Sequence, residues 1–384
     1  MFSLTGRTIS LCKSQRSDSL FSNFTAMKNF YLTLTCILLS IVTAHAQSGT
    51  SSEIKELKDE LTSLSFQMDR LRKANDDILW YNKVGDVAWI DKVTITGPPE
   101  KSDKNPTAQG ANNPLVFRSY VFIPKNFDIN KKYPLLVYSH GGVHGDLDTF
   151  SGHIIRELMA QGYVVVAPEY RGSTGYGRDF YEAIDYGDKE VVDANNARDY
   201  VVENYSFIDK DRVGILGWSH GGMITLLDIF NNPSEYKVAY AGVPVSDLIA
   251  RMGYKTQGYR DLFSAEYHIG KSADQNVQEY RKRSPVWNAQ KLKTPLLIHT
   301  NTNDEDVNSL EVEQLIRALK AENKKFEYQI YENVEGGHIF DRIDTKVGKE
   351  IRLKVYKFLN QYLSPNKPFQ SLQELERFSY YFQK

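Results

Sequence analysis

Cysteine is almost absent from this chain: Cys12 and Cys36 are the only two among 384 residues, and both lie upstream of the point where a leader is expected to be cut. A mature chain without cysteine forms no disulfide, so in an oxidising compartment its stability must rest on an ordinary core. An excess of one charge sign is lacking as well. The 47 basic and 48 acidic residues leave a formal charge of -1, which gives no bulk attraction to nucleic acid or to an anionic membrane. Repeats with a period of about 20 to 50 residues are missing, which excludes a solenoid or a propeller encoded in this sequence. Apolar residues, by contrast, make up 41% of the chain, enough for a sizeable core and too many for a disordered protein. A small-molecule or short-peptide substrate fits this balance.

The first informative segment starts at an internal methionine. Met27, Lys28 and Asn29 precede an apolar run from Phe30 to Val42, and Ala44-His45-Ala46 follows. These are the three parts of a secretory signal peptide. A run of roughly 13 residues is short for a membrane helix, which needs about 20. Cleavage after Ala46 is therefore expected in place of an anchor, leaving a secreted or periplasmic product free of the membrane. Cys36 sits inside the run and not at its end, which disfavours lipid attachment. Residues 1–26 carry Arg7, Lys13 and Arg16 without periodicity and are assigned no fold, whether they are a charged leader or an upstream extension of a misassigned start. The expected organisation is leader and signal over 1–46, an N-terminal amphipathic helix over 47–82, a catalytic domain over 83–364 and a C-terminal tail over 365–384.

From Ile54 the apolar residues fall at Ile54, Leu57, Leu61, Leu64, Met68 and Leu71, with Asn75 and Ile78 in the same register. Alternating steps of three and four make a heptad seam on one helix. The stripe either pairs with a second chain as a homodimer, for which a polar Asn75 on the seam suits register selection, or packs on the protein's own body; packing in cis is the simpler expectation. Beyond a loop rich in Pro, Gly, Asn, Lys and Ser between Gly97 and Pro114, strand-like and helix-like segments alternate. Strands are expected at 89–96, 115–123, 133–139, 163–167, 212–217, 238–243, 295–300 and 325–331. Helices are expected at 153–161, 191–205, 220–230, 309–322 and 348–362. Such alternation predicts an α/β-hydrolase-like architecture, a mostly parallel sheet with helices on both faces, preceded by the N-terminal helix. In open sheets of this kind chemistry gathers at the carboxyl ends of the strands.

Gly217-Trp218-Ser219-His220-Gly221 directly follows the apolar run Val213 to Leu216 and opens a helical segment. This is a nucleophile elbow in the context it requires: the turn is too tight for side chains two positions either side of the serine, and glycine holds both places. A serine hydroxyl is a poor nucleophile near neutral pH and needs a base, itself held by a carboxylate. In this architecture the chain order is serine, acid, histidine. Of the histidines after the serine, His220 is on the elbow, His268 is in an irregular insertion, and His299 ends a strand without an acid in the expected place. His338 alone follows a late strand in a glycine-rich turn, Gly336-Gly337-His338. The acid is expected in the loop after 295–300, where Asp304, Glu305 and Asp306 crowd together; solvated surface charge is the expectation for Glu305, and Asp306 is open to the same reading. Donors for an oxyanion are expected from the backbone after the nucleophile and from the loop His140-Gly141-Gly142-Val143. His140, His144 and His153 lack ligand spacing on a common helix, so no metal and no other cofactor is expected.

From about Val121 to Leu363 the chain resembles the catalytic domain of the prolyl oligopeptidase family, which includes dipeptidyl and acylaminoacyl peptidases. The resemblance rests on several blocks: His140-Gly141-Gly142, the run Glu169-Tyr170-Arg171-Gly172-Ser173-Thr174-Gly175-Tyr176-Gly177, the elbow at Ser219, Pro244-Val245-Ser246, Ser284-Pro285, Asp304-Glu305-Asp306-Val307 and Gly337-His338. In that family the catalytic acid is followed by two variable residues and valine, which implies Asp304 over its neighbours. The family thus implies Ser219, Asp304 and His338 as the triad, with N–H donors at His220 and near Gly142. The departure is the N-terminal β-propeller of the larger family peptidases, since only about 75 residues separate the expected cut from the matching region. The resemblance implies a serine-type peptidase cleaving short peptides or aminoacyl amides through an acyl-enzyme. A carboxylesterase or sugar-ester hydrolase uses the same machinery, and a catalytically inactive binding protein is the remaining reading. The insertion from Leu248 to Arg283, with Arg251, Tyr254, Tyr259, Arg260 and Tyr267, is either a pocket for an apolar or aromatic acyl group or an ordinary surface insertion.

Overall fold

The computed structural model describes residues 52–100, 107 and 109–380. The expected leader and its cleavage site lie outside these residues. Helix α1 covers residues 52–84, and the chain divides into two units between Ser65 and Phe66, within that helix. In the unit from Phe66 onward, the helix face bearing Phe66, Lys73 and Trp80 is the one that packs. Phe66 meets Tyr181 edge-on at 5.4 Å, Lys73 Nζ reaches Glu169 Oε1 at 2.7 Å and Asp146 at 3.0 Å, and Trp80 is fully buried against Tyr120 and Phe122. Met68, Leu71 and Ile78, on the heptad seam, are 60%, 65% and 65% exposed. The expectation that the seam packs in cis therefore fails for this part of the helix. Polar Lys73 is buried in place of an apolar residue because two carboxylates and the Leu147 carbonyl satisfy it.

Eight strands follow: β1 (Ala88–Pro99), β2 (Pro114–Pro124), β3 (Tyr133–Ser139), β4 (Val164–Glu169), β5 (Ile208–Trp218), β6 (Val238–Gly242), β7 (Leu296–Asn301) and β8 (Glu327–Tyr331). They form one sheet in the order β1-β2-β4-β3-β5-β6-β7-β8. β1–β2 and β2–β4 are antiparallel, and every later pairing is parallel. The helices between them are α2 (Gly152–Gln161), α3 (Arg178–Glu182), α4 (Lys189–Asn204), α5 (His220–Asn231), α6 (Leu248–Tyr254), α7 (Gln257–Ser264), α8 (Val277–Lys282), α9 (Ser309–Ala321), α10 (Lys346–Leu363) and α11 (Leu372–Ser379).

Parallel strands buried on both faces read as continuous apolar runs, and their side chains alternate between two cores. Leu135 and Val137 of β3 and Val164 and Val166 of β4 face one core, completed by residues of α4, α5 and α9. Leu136, Tyr138, Val165 and Ala167 face the other, completed by Trp80 and residues of α2 and α10. The C-terminal segment folds onto this second layer: Phe369 and Leu375 are buried there. Ser379 Oγ donates to Glu157 Oε1 at 2.6 Å, beside the buried pair of Glu157 with Arg352. This sheet brings the carboxyl ends of β3, β5 and β7 to the same edge, where the candidate residues lie.

Candidate active site

The elbow forms where β5 ends and α5 begins. Ser219 has φ 59 and ψ -121, a left-handed conformation that an L-residue adopts only under constraint. The constraint is visible on both sides. A Cβ on Gly217 would sit 2.3 Å from the Gly221 carbonyl oxygen, and one on Gly221 would sit 2.0 Å from the Ser139 carbonyl oxygen. The Ser219 N–H bonds to the Gly242 carbonyl at 3.0 Å, and the Ser219 carbonyl accepts from Val245 at 3.2 Å, so the turn is tied to the end of β6. The backbone N–H of His220, first in α5, has no intrahelical acceptor.

The loop after β3 lies against this turn. A Cβ on Gly141 would be 3.2 Å from the Trp218 carbonyl oxygen and 3.6 Å from Ser219 Cβ, and Gly142 has φ +87. The glycines are needed for close approach. His140 anchors the loop: its ring stacks on Tyr170 at 4.1 Å, Nε2 lies 3.0 Å from Ser173 Oγ, and the Tyr170 hydroxyl donates to the His140 carbonyl at 2.8 Å. His144 Nδ1 lies 2.8 Å from the Gly172 carbonyl and stacks on Tyr181. His153 is on α2, stacked with Tyr380. The run Glu169 to Gly177 thus supports the 140–144 loop. Arg171, fully buried, holds Asp193 with Nε to Oδ2 at 2.7 Å and Nη2 to Oδ1 at 2.8 Å.

Asp304 and His338 meet. His338 Nδ1 lies 2.8 Å from Asp304 Oδ2 and 3.0 Å from Oδ1, and the Asp304 side chain is fully buried. Asp304 Oδ1 also accepts the N–H groups of Asp306 and Val307, each at 2.8 Å. The valine three residues on thereby closes the acid loop around the carboxylate. Glu305 is not mere solvated charge: Oε2 accepts the His338 N–H at 3.1 Å. Asp306 is held by Arg251 and Lys255, with its Oδ2 3.7 Å from His338 Nε2. Burial acts to raise the Asp306 pKa, and the hydrogen bond from Lys255 with the Arg251, His338 and Lys255 charges carries it below the usual carboxylate range. Among the described residues the Ser219 hydroxyl makes no hydrogen bond, so its link to His338 is not closed in this resting state. Resting hydrogen bonds of this kind are often long and tighten when substrate binds.

Two groups that sequence reasoning missed fasten the histidine loop. Asp341 Oδ2 accepts from Trp218 Nε1 at 2.6 Å and from the Tyr240 hydroxyl at 2.7 Å, tying the His338 loop to the residue before Ser219. Asn301, at the end of β7, donates to the carbonyls of Val334 and Gly337. The polar residue directly after the expected strand 295–300 was the available signal for Asn301; Asp341 carried none in isolation. The insertion forms α6, α7 and α8. Arg251 is 2% exposed and bonds the Tyr259 and Tyr254 hydroxyls and the Asp306 carbonyl and carboxylate. Arg260 is taken up by the carbonyls of Met252 and Lys255. These cations brace the acid loop and the insertion instead of lining an acyl pocket.

His220 and His299 are poor bases. Burial pushes His299 down to about 4 and His220 well below its ordinary value. Burial pushes Glu190, whose Oε1 lies 3.7 Å from His220 Nε2, up to about 8. Glu190 therefore stays protonated in the folded chain between about pH 4.5 and 8 while the unfolded chain ionises, so folding stability falls as pH rises through that window. At about 1.4 kcal/mol per pKa unit, the loss reaches a few kcal/mol. In Glu190→Gln the decline should flatten; thermal melts of both proteins at pH 5 and pH 8 check this, and parallel declines would contradict it.

An eight-stranded sheet of this order, an elbow serine and an Asp–His pair define an α/β-hydrolase. Comparison with known proteins narrows the class. The prolyl oligopeptidase family model matches residues 149–366, more than half of the chain. The chain belongs to the prolyl oligopeptidase family, a family of serine hydrolases. It is 28% identical over 296 residues to an acylamino-acid-releasing enzyme of Arabidopsis thaliana, covering 72% of this chain and 38% of the relative. It is 32% identical over 222 residues to dipeptidyl peptidase 8 of Homo sapiens, covering 55% and 24%. The chain thus spans well under half the length of these curated relatives. Among solved structures it is similar in fold to a puromycin hydrolase, with TM-score 0.60, 19% identity and coverage of 74% of this chain and 40% of that one. The acylaminoacyl peptidase of Pyrococcus horikoshii gives TM-score 0.60, 18% identity and coverage of 77% and 45%.

Proposed function

We propose that this chain is an exported serine peptidase that cleaves short peptides or aminoacyl amides through an acyl-enzyme on Ser219. The observation that carries this reading is the buried Asp304 carboxylate on His338 Nδ1, on the sheet edge that also bears the strained elbow serine. In the first half-reaction His338 Nε2 takes the proton of Ser219 Oγ as the oxygen attacks the carbonyl carbon. The N–H groups of His220 and Gly142 hold the oxyanion, and Asp304 stabilises the imidazolium. Collapse of the intermediate breaks the C–N bond, and the leaving amine takes the proton from His338. Water then repeats the sequence on the acyl-enzyme and frees Ser219. Names of the relatives, acylamino-acid-releasing enzyme and dipeptidyl peptidase, support an amide substrate.

The test is kcat/KM for an amide and an ester that share one acyl group, run beside a broad library of short peptides. Measurable amide cleavage is expected. Turnover confined to esters, with no peptide in the library cut, would instead make the protein a carboxylesterase or sugar-ester hydrolase. Export rests on the Met27 to Ala46 pattern, and the mature protein is expected to begin at Gln47. N-terminal sequencing of protein recovered from the periplasm or medium checks it; an intact leader on folded cytoplasmic protein would contradict it.

A further inference from the structure

Helix α1 carries an exposed apolar stripe, which from Phe66 onward lies on the face turned away from the catalytic body. In heptad lettering the a positions are Ile54, Leu61, Met68 and Asn75, and the d positions are Leu57, Leu64, Leu71 and Ile78. All seven apolar members are more than half exposed, between 53% and 66%. From Phe66 onward, Phe66, Lys73 and Trp80, which occupy successive f positions diametrically opposite the seam, contact the body, and Asp76 and Asp77, at the flanking b and c positions, accept from Thr149 and Lys92. A stripe this long and regular is unusual on a soluble surface unless something covers it.

We propose that residues 54–78 pair with the same segment of a second copy of this chain as a parallel, in-register, two-stranded coiled coil. The charges flanking the seam select both the partner and the direction. At the g positions stand Glu53, Glu60 and Gln67, and at the e positions Lys58, Ser65 and Arg72, so the charged g residues are acidic and the charged e residues basic. A parallel pair sets each g against the e of the following heptad on the other helix. Glu53 then meets Lys58 and Gln67 meets Arg72, on both sides of the symmetric pair. An antiparallel pair would set g against g and e against e, glutamate facing glutamate and base facing base.

Asn75 points the same way. At an a position it meets its own twin only when the helices run parallel and in register, and a polar seam residue of this kind fixes two-stranded register at some cost in stability. Seven apolar side chains from each copy, each losing on the order of 100 Å², bury roughly 1,400 Å², within the range of stable specific interfaces. The anchoring of Lys73 and Trp80 orders the C-terminal half of the helix beforehand, which lowers the entropy cost of pairing. With Phe66, Lys73 and Trp80 turned to each copy's own body, the seam from Met68 onward is left free to pair.

The test uses the full chain with Cys12→Ser and Cys36→Ser, studied by sedimentation equilibrium across micromolar concentrations. A mass of twice the chain is expected. Leu64→Asp with Leu71→Asp should sediment as a single chain while keeping unchanged kcat/KM per subunit on an activated ester, which also reports that the variant is folded. Asn75→Cys should form a disulfide with its own twin on mild oxidation. Three results would overturn the proposal: a single-chain mass for the parent protein, a dimer that survives the double aspartate variant, or a cross-link that requires Asn75→Cys mixed with Leu57→Cys, the signature of antiparallel pairing.

Discussion

Ser219→Ala and His338→Ala are each expected to lower kcat/KM for an activated acyl ester by on the order of 10⁴ to 10⁶, because groups that act as one unit lose nearly the whole effect when any member is removed. The site offers no substitute for either. The remaining histidines after the serine are buried, with burial pushing His299 down to about 4 and His220 well below its ordinary value, so neither of these two takes over as base near neutral pH. Ser139, the serine whose carbonyl packs against Gly221, is fully buried at the end of β3 and offers no second nucleophile. The double variant should lose little more than either single one. Additive losses, or a His338→Ala protein with near-parental turnover, would remove the base assignment.

The second large effect separates three adjacent acids. Asp304→Asn should cost about 10⁴ in kcat, because an amide facing His338 Nδ1 favours the wrong tautomer and withdraws the charge that stabilises the imidazolium. Asp306→Asn should change kcat by less than about tenfold, since its carboxylate is 41% exposed and belongs to a partly solvated group with Arg251 and Lys255. Glu305→Gln keeps an oxygen able to accept the His338 N–H, and a similarly small loss is expected. Steady-state kinetics of the three variants on one substrate decides the matter. A loss larger for Asp306→Asn than for Asp304→Asn would reassign the acid.

The sheet was legible because each strand announces itself by composition. Val164-Val165-Val166 and Leu135-Leu136-Val137 are buried on both faces, and such strands read as apolar runs between turn residues. The elbow was legible because its steric demand falls on two glycines at fixed offsets. Helices α6, α7 and α8 were not, because each spans eight residues or fewer and shows too few turns for a period to emerge. Arg251 illustrates a second limit. Its place in the sequence invites a substrate contact, but two tyrosine hydroxyls and the Asp306 carboxylate bury it, and none of these partners is adjacent in sequence. Glu305 shows the reverse: an acid in a charge run, read as solvated, reaches the backbone of His338 because Gly337 leaves room for it. For α1 the heptad pattern identifies an apolar stripe but not what meets it. Lys73, charged and on the opposite face, docks beside Phe66 and Trp80, since Glu169 and Asp146 accept its ammonium.

The most direct test of Ser219 as an activated nucleophile is reaction of the purified protein with a fluorophosphonate, followed by intact mass and peptide mapping. A single adduct on Ser219 is expected, absent from Ser219→Ala and strongly slowed in His338→Ala. An adduct on any other residue, or a parent protein that remains unlabelled while folded, would contradict it.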